Sequence, residues 1–510
     1  MTAVKGNSGR AQSRRLTRKI GAIVGFFAAF LVLYEATSYL FGGRRRGGGG
    51  EGKYGRARAR TRAGEKWERL RGSLGAGRGR SEAESLEAVL SASVHLVEVR
   101  PGANLERAGR FVEGAGRYSN VEGVFCRIAW DMHKADPSHH PMFRTLVEDS
   151  PGCQGPRIRL DLAAVAAAAR ERDGGTALRP YPSHPAQAQE EEEEDGDDGD
   201  DGGDGDDGME GLRNPRALHP RGFVFHESRC GSTLIANALA AFDPEGTRVY
   251  SEAAPLASAL RACDGGKCSQ DTGAALVRDV VYLMGRTDHP TERNLFFKIQ
   301  SVATRYIDVL TRAFPSTPYL FVYRDPVQVM MSHLGVGRME NANCVRPRKA
   351  RDQYVLDLVS AAAPGRRVAT LTHEEYCAAH LATICDAAVA GLRRTADAGT
   401  GRVVNYRDLP AALEFLVPDH FGADLGTDGW DRIVRISGQY SKGIGARAAT
   451  WKGDDSEKKE QRASDAIRGA SLLFLDSSYA ALEDMNLGLL GLEGVLDDDD
   501  YDGRVEDVDY

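Results

Sequence analysis

The sequence predicts an α/β protein: a mainly parallel sheet flanked by helices, preceded by a transmembrane anchor and by disordered segments. Three observations carry this. Five short β-like segments, 222–225, 248–252, 295–299, 319–323 and the first part of 403–410, alternate with stretches of helical periodicity, the pattern of strands covered on both faces. Two of those segments end in polar turns that open helices. A basic N-terminus is followed directly by a long apolar stretch.

Residues 1–19 are polar and basic, with Arg14, Arg15, Arg18 and Lys19 next to the apolar run that begins at Ile20. That run reaches Phe41, interrupted by Glu35, which is long enough to span a bilayer. We read 20–41 as a signal anchor with the N-terminus cytosolic. A cleaved signal peptide or an organellar presequence is the alternative, and Arg44 to Arg46 put charge on the far side as well. Residues 42–85 form an Arg/Gly-rich flexible stem.

Residues 86–182 regain apolar periodicity and read as an N-terminal extension packed on the catalytic domain, with a helix over Leu160 to Ala168 and a short strand over Val124 to Trp130. Residues 183–220 carry a run of Asp, Glu and Gly that repels itself, an acidic disordered linker, and 491–510 form an acidic tail. The net charge of −7 is therefore divided into basic and acidic blocks and predicts no nucleic-acid partner. The chain has 8 cysteines and no CxxC pair, which excludes the common zinc patterns. Cys126 with Cys153, and Cys263 with Cys268, are candidate disulfides.

The catalytic region, 221–490, begins with an apolar strand that runs to Phe225. A polar turn, His226 to Gly231, follows, and then Leu234, Ile235, Ala238, Leu239 and Phe242 recur at helical spacing. Strand, tight turn and helix make a phosphate cradle: Gly231 allows close backbone approach, Ser232 and Thr233 stand where the helix starts, and Arg229 adds a forked cation. Cys230 reads as a small packed residue. GxxxxGK[ST] is absent, so the turn is not a Walker A loop and an NTP–Mg kinase is a poor match.

A second unit is Pro318 to Leu334. Strand Tyr319 to Tyr323 ends at Arg324, Asp325 caps, Pro326 opens a helix, and Ser332 lies two turns along it. Together, Arg229-Cys-Gly-Ser-Thr233 and Arg324-Asp-Pro326 with Ser332 resemble the nucleotide-binding signatures of sulfotransferases that use 3′-phosphoadenosine 5′-phosphosulfate (PAPS). The motif style is nearest to the tyrosylprotein and Golgi branch, and the resemblance covers residues 221–485.

The resemblance implies roles. Arg229, Cys230, Gly231, Ser232 and Thr233 would hold the 5′-phosphosulfate, and Arg324 and Ser332 the 3′-phosphate. Lys298, at a strand end, would reach the sulfonyl group. Glu252 would be the base, with His226 and His333 as alternatives. Tyr440, Ser441 and Lys442 begin a Gly- and Lys-rich loop of the kind that closes over the adenosine 3′-phosphate, and Tyr406-x-Asp408-Leu409 reads as a structural junction. No metal is required. The implied acceptor is a hydroxyl on a glycan, a protein tyrosine or a lipid-linked sugar, met in the Golgi lumen. The rival readings are another P-loop-like transferase, and a sulfotransferase-like nucleotide-binding protein without turnover.

Overall fold

The computed structural model describes residues 81–103, 105, 118–174, 215–335, 337, 339–439 and 454–489. The basic tail, the anchor stretch 20–41, most of the stem, residues 183–214 of the acidic linker, the acidic tail, and Tyr440, Ser441 and Lys442 all lie outside them. Everything described belongs to one compact unit. Among the described residues no helix is long and apolar enough to cross a membrane.

The strands, in chain order, are β1 (His95–Pro101), β2 (Val121–Cys126), β3 (Ile158–Asp161), β4 (Arg216–Ala217), β5 (Pro220–His226), β6 (Thr247–Ser251), β7 (Arg286–Thr287), β8 (Asn294–Lys298), β9 (Tyr319–Tyr323) and β10 (Gly401–Asn405). The helices that build or support the site are α1 (Glu82–Leu90), α2 (Leu162–Arg172), α3 (Ser232–Ala241), α4 (Ala254–Leu260), α5 (Gln270–Gly285), α6 (Pro326–Leu334), α7 (His373–Arg394), α8 (Ser456–Arg462), α9 (Asp465–Phe474) and α10 (Asp476–Leu489).

The central sheet is five-stranded and parallel, in the order β10-β9-β5-β8-β6. The five β-like segments of the sequence correspond to these five strands. Period-2 alternation divides each strand between two apolar faces, as a sheet covered on both sides requires. Phe223, Phe225, Tyr250, Phe297, Tyr319, Phe321 and Tyr323 enter one core, which α5 and α7 complete. Val224, Val249, Phe296, Leu320, Val322 and Val404 enter the other, against α3. From β5 the chain moves out to β6, returns through β8, and then crosses to β9 and β10. The progression therefore reverses at β5, which leaves a crevice at the carboxyl ends of β8, β5 and β9.

The extension forms an antiparallel sheet, β1-β2-β3, and shares the larger core with the central domain. Trp130 meets Tyr250 edge-on, with ring centroids 5.0 Å apart. Tyr118 donates to Asp279 of α5 at 2.7 Å. The Arg286 guanidinium donates to the carbonyls of Val89 and Leu90 and to Asp173, which ties α1 and the end of α2 to β7. Disulfides join Cys126 to Cys153 and Cys263 to Cys268, the two pairs that the sequence left open. A third, Cys344–Cys377, pins the segment after α6 to the first turn of α7 and was not anticipated. The single closing helix expected over Ser471 to Met485 is instead two helices, α9 and α10, which break at Leu475.

Candidate functional site

Each strand of the sheet delivers a polar side chain at its carboxyl end: His226 from β5, Glu252 just past β6, Lys298 from β8, Arg324 just past β9 and Tyr406 just past β10. They converge because the strands are parallel and in register. Val224 pairs with both Leu320 and Lys298, and Ser251 pairs with Lys298.

The turn after β5 is a tight, left-handed cradle. Ser228, Arg229 and Gly231 all have positive φ, at 101°, 57° and 85°. Gly231 is the N-cap of α3 and has no side chain with which to cap it, so no side-chain cap occupies the first-turn N–H groups at the positive end of the helix. Ser232 and Thr233 are buried at that end, and Arg229 is exposed beside it. Cys230 points inward: its thiol donates to the Val322 carbonyl at 3.1 Å, and burial pushes its pKa up to about 12. It is a packed residue, so only its backbone is left for the role that the resemblance implied for it.

A Cβ on Gly231 would lie 2.6 Å from Cδ2 of Tyr406, in addition to the cost of its φ of 85°. Gly231→Ala is therefore expected to destabilise the protein by about 1–2 kcal/mol and to displace Tyr406. Thermal denaturation would check the first effect and tyrosine fluorescence the second.

Tyr406 is also the platform for Arg324, whose Cζ sits 4.1 Å from the ring centroid. The two motifs thus share a wall that the sequence reading had taken as merely structural. Arg324 is only 5% exposed. Its Nε donates to Oε1 of Gln328 at 2.8 Å, and its Nη2 donates to Ser456 Oγ at 2.7 Å and to Asp455 Oδ1 at 3.2 Å. Asp325 caps α6 by accepting from the Gln328 N–H at 3.0 Å, and Pro326 opens the helix. Ser332 lies one turn beyond Gln328 and donates to its carbonyl at 2.9 Å, so it is linked to Arg324 through Gln328 rather than directly. His333 is buried within α6.

The third group is a buried acid–base cluster. Lys298 Nζ pairs with Glu252 Oε1, and His226 Nε2 stands 3.6 Å from the same oxygen. Glu252 adopts a positive φ of 53°, and its N–H donates to the Lys298 carbonyl at 2.7 Å, which locks the carboxylate against β8. Burial works against the charged form, but Lys298 and His226 outweigh it and hold the Glu252 carboxyl well below the usual range.

Comparison with known proteins adds little to this geometry. No family model matches the chain, and no curated protein matches it. Among solved structures, a sulfotransferase domain from the curacin biosynthetic pathway aligns with 55% of this chain and 99% of its own length, at 12% identity and a TM-score of 0.28. A likeness of that size carries no argument about either fold or chemistry.

Three features of the site were not read from the sequence as functional. Glu227 is fully buried under the cradle, where Oε2 accepts the Arg324 N–H at 3.2 Å. Burial pushes its pKa up to about 8; the Arg324 N–H opposes this and the Asp325 carboxylate reinforces it. Tyr406 and the segment Asp454–Ser456 are the others. Of these, only Glu227 carried a signal, as an acid one residue past a buried strand. Among the described residues no group of three or more His, Cys, Asp or Glu is placed to hold a metal ion.

Proposed function

We propose that this chain is a PAPS-dependent sulfotransferase that sulfates a hydroxyl of a glycan, a protein tyrosine or a lipid-linked sugar. One observation carries the reading: two anion-directed turns at the crevice of a parallel sheet share Tyr406 as a common wall, with a buried Lys–Glu pair at the end of the neighbouring strands. The donor fits the residues present, because the helix that follows Gly231 begins without a side-chain cap, and Arg229 and Arg324 both lie near enough to act on Lys459.

PAPS, when bound, supplies the sulfuryl group and leaves as adenosine 3′,5′-bisphosphate. Arg229 and the 231–233 backbone and hydroxyls would hold the 5′ end. Arg324, oriented by Gln328 and Tyr406, would hold the 3′-phosphate, with Ser332 on the same helix. Tyr440, Ser441 and Lys442 are proposed for the same phosphate. Lys298 would stabilise negative charge on the sulfuryl group as it is transferred. Glu252 would take the acceptor proton. Its carboxyl is ionised throughout the physiological range, and it becomes a stronger base as Lys298 turns from it toward the reacting group.

The three disulfides favour an oxidising compartment, in keeping with a luminal domain held by the 20–41 anchor. The test is calorimetry of the full-length protein. Adenosine 3′,5′-bisphosphate is expected to bind tightly and AMP at least about a hundredfold more weakly, since AMP lacks the group that Arg324 would recognise. Equal binding of the two would end the assignment.

A further inference from the structure

Arg324 is not open to solvent. Three consecutive residues from the far end of the chain hold its guanidinium. Ser456 Oγ accepts from Nη2 at 2.7 Å, Asp455 Oδ1 at 3.2 Å, and Asp454 Oδ1 lies 3.4 Å away while accepting from the Ser456 N–H and hydroxyl. The same Asp455 oxygen pairs with Lys459 Nζ at 2.6 Å. One carboxylate oxygen thus sits between a guanidinium and an ammonium, flanked by two further oxygens, the arrangement that a phosphate would present.

We propose that Lys459 is a third anion-binding cation of this site, and that Asp454, Asp455 and Ser456 form an internal clasp that occupies Arg324 until an anionic ligand displaces it. This rests on the reading of the Arg324 pocket given above and names a residue and a control that the reading does not contain.

The asymmetry of burial sets the direction of release. The Asp454 and Asp455 side chains are 52% and 55% exposed, whereas Arg324 is 5% exposed. The carboxylates can turn into water at little cost, because half-exposed ion pairs are weak. Arg324 cannot follow them, being stacked on Tyr406 and tied through Nε to Gln328. Lys459 is 18% exposed and lies on α8, which packs along α6, so it remains beside Arg324 when the carboxylates leave. Burial, and then the guanidiniums of Arg324 and Arg229, push the Lys459 ammonium below its ordinary pKa, while Asp455 opposes them. Three like charges face one another there, and an incoming bisphosphate satisfies them with more charge than the clasp does.

Two measurements on the full-length protein test this. The first needs no ligand: amide hydrogen exchange over residues 454–462 is expected to be faster in Arg324→Ala than in the wild type, and equal exchange would overturn the clasp. The second is calorimetry with adenosine 3′,5′-bisphosphate. Asp454→Asn/Asp455→Asn is expected to bind about tenfold more tightly than the wild type, and Lys459→Met about tenfold more weakly. Wild-type binding with both variants unchanged would overturn the inference alone. Failure of every form to bind would remove the reading of the site, and this inference with it.

Discussion

Lys298→Met is expected to lower sulfuryl transfer by about a thousandfold, the usual scale for loss of a group that stabilises developing charge. Its affinity for adenosine 3′,5′-bisphosphate should stay near that of the wild type, because the bisphosphate lacks the group that Lys298 would face. Retained binding also shows that the variant is folded. The pH profile carries a second, sharper expectation. Lys298 is the main influence that holds the Glu252 carboxyl low, against burial. Without it, only His226 is left to oppose burial, and the carboxyl pKa rises. A base must be unprotonated to act, so the acidic limb of the rate profile should move to higher pH in Lys298→Met. Glu252→Gln is expected to cost about a hundredfold or more by itself. A Glu252→Gln variant with full activity, and a profile that does not move, would transfer the role to His226, 3.6 Å away.

Glu227→Gln is expected to stabilise the protein at neutral pH. The folded pKa is pushed up to about 8 from an ordinary value of 4.5, so between those limits the folded state holds a proton that the unfolded chain has released. Stability is then fully present below pH 4.5 and is lost as pH rises toward 8. Gln keeps the shape and the acceptor for the Arg324 N–H and removes the titration, for a gain of about 3 kcal/mol at pH 7 and almost none at pH 4. Denaturant titrations at the two pH values check this, and an equal effect at both would refute it. The same ionisation has a functional reading. Above pH 8 the wild type gains a buried negative charge beneath two anion-directed turns, so bisphosphate affinity should fall there in the wild type and not in Glu227→Gln.

The parts of this molecule that were legible in its sequence are those that chain neighbours determine. Tyr319 to Tyr323 reads as a strand because five apolar residues are closed by Arg324-Asp-Pro, and Pro326 with Asp325 announces a helix that then forms. The cradle at 228–231 was legible for the same reason, since Gly231 and the hydroxyls after it act within one turn. What escaped is what distant segments do to one another. Tyr406 looked structural because its meaning comes from Gly231 and Arg324, which are brought to it only when β10, β9 and β5 align. Nothing around Asp454 suggests that it faces a guanidinium 130 residues earlier. Glu252 and Lys298 were each picked out as singles, but their pairing follows from the β6–β8 register, which cancels part of the basicity that a lone carboxylate would have. Cys344 and Cys377 lie 33 residues apart with no local pattern to join them.

The way the N-terminal extension enters the main core bears on how the chain comes to be folded. Its anchoring contacts reach far along the sequence: Tyr118 to Asp279 spans 161 residues and Arg286 to Val89 spans 197. Contacts of such separation demand loop closure before they give any stabilisation, which makes for a slow and late search. Trp130, Leu96 and Phe125 have no partner surface of the central domain to bury against until β6, α4 and α5 have been synthesised. The first-made part of this domain thus waits on the later-made parts to be secured, and in the interval its apolar side chains are open to capture by chaperones or by other chains.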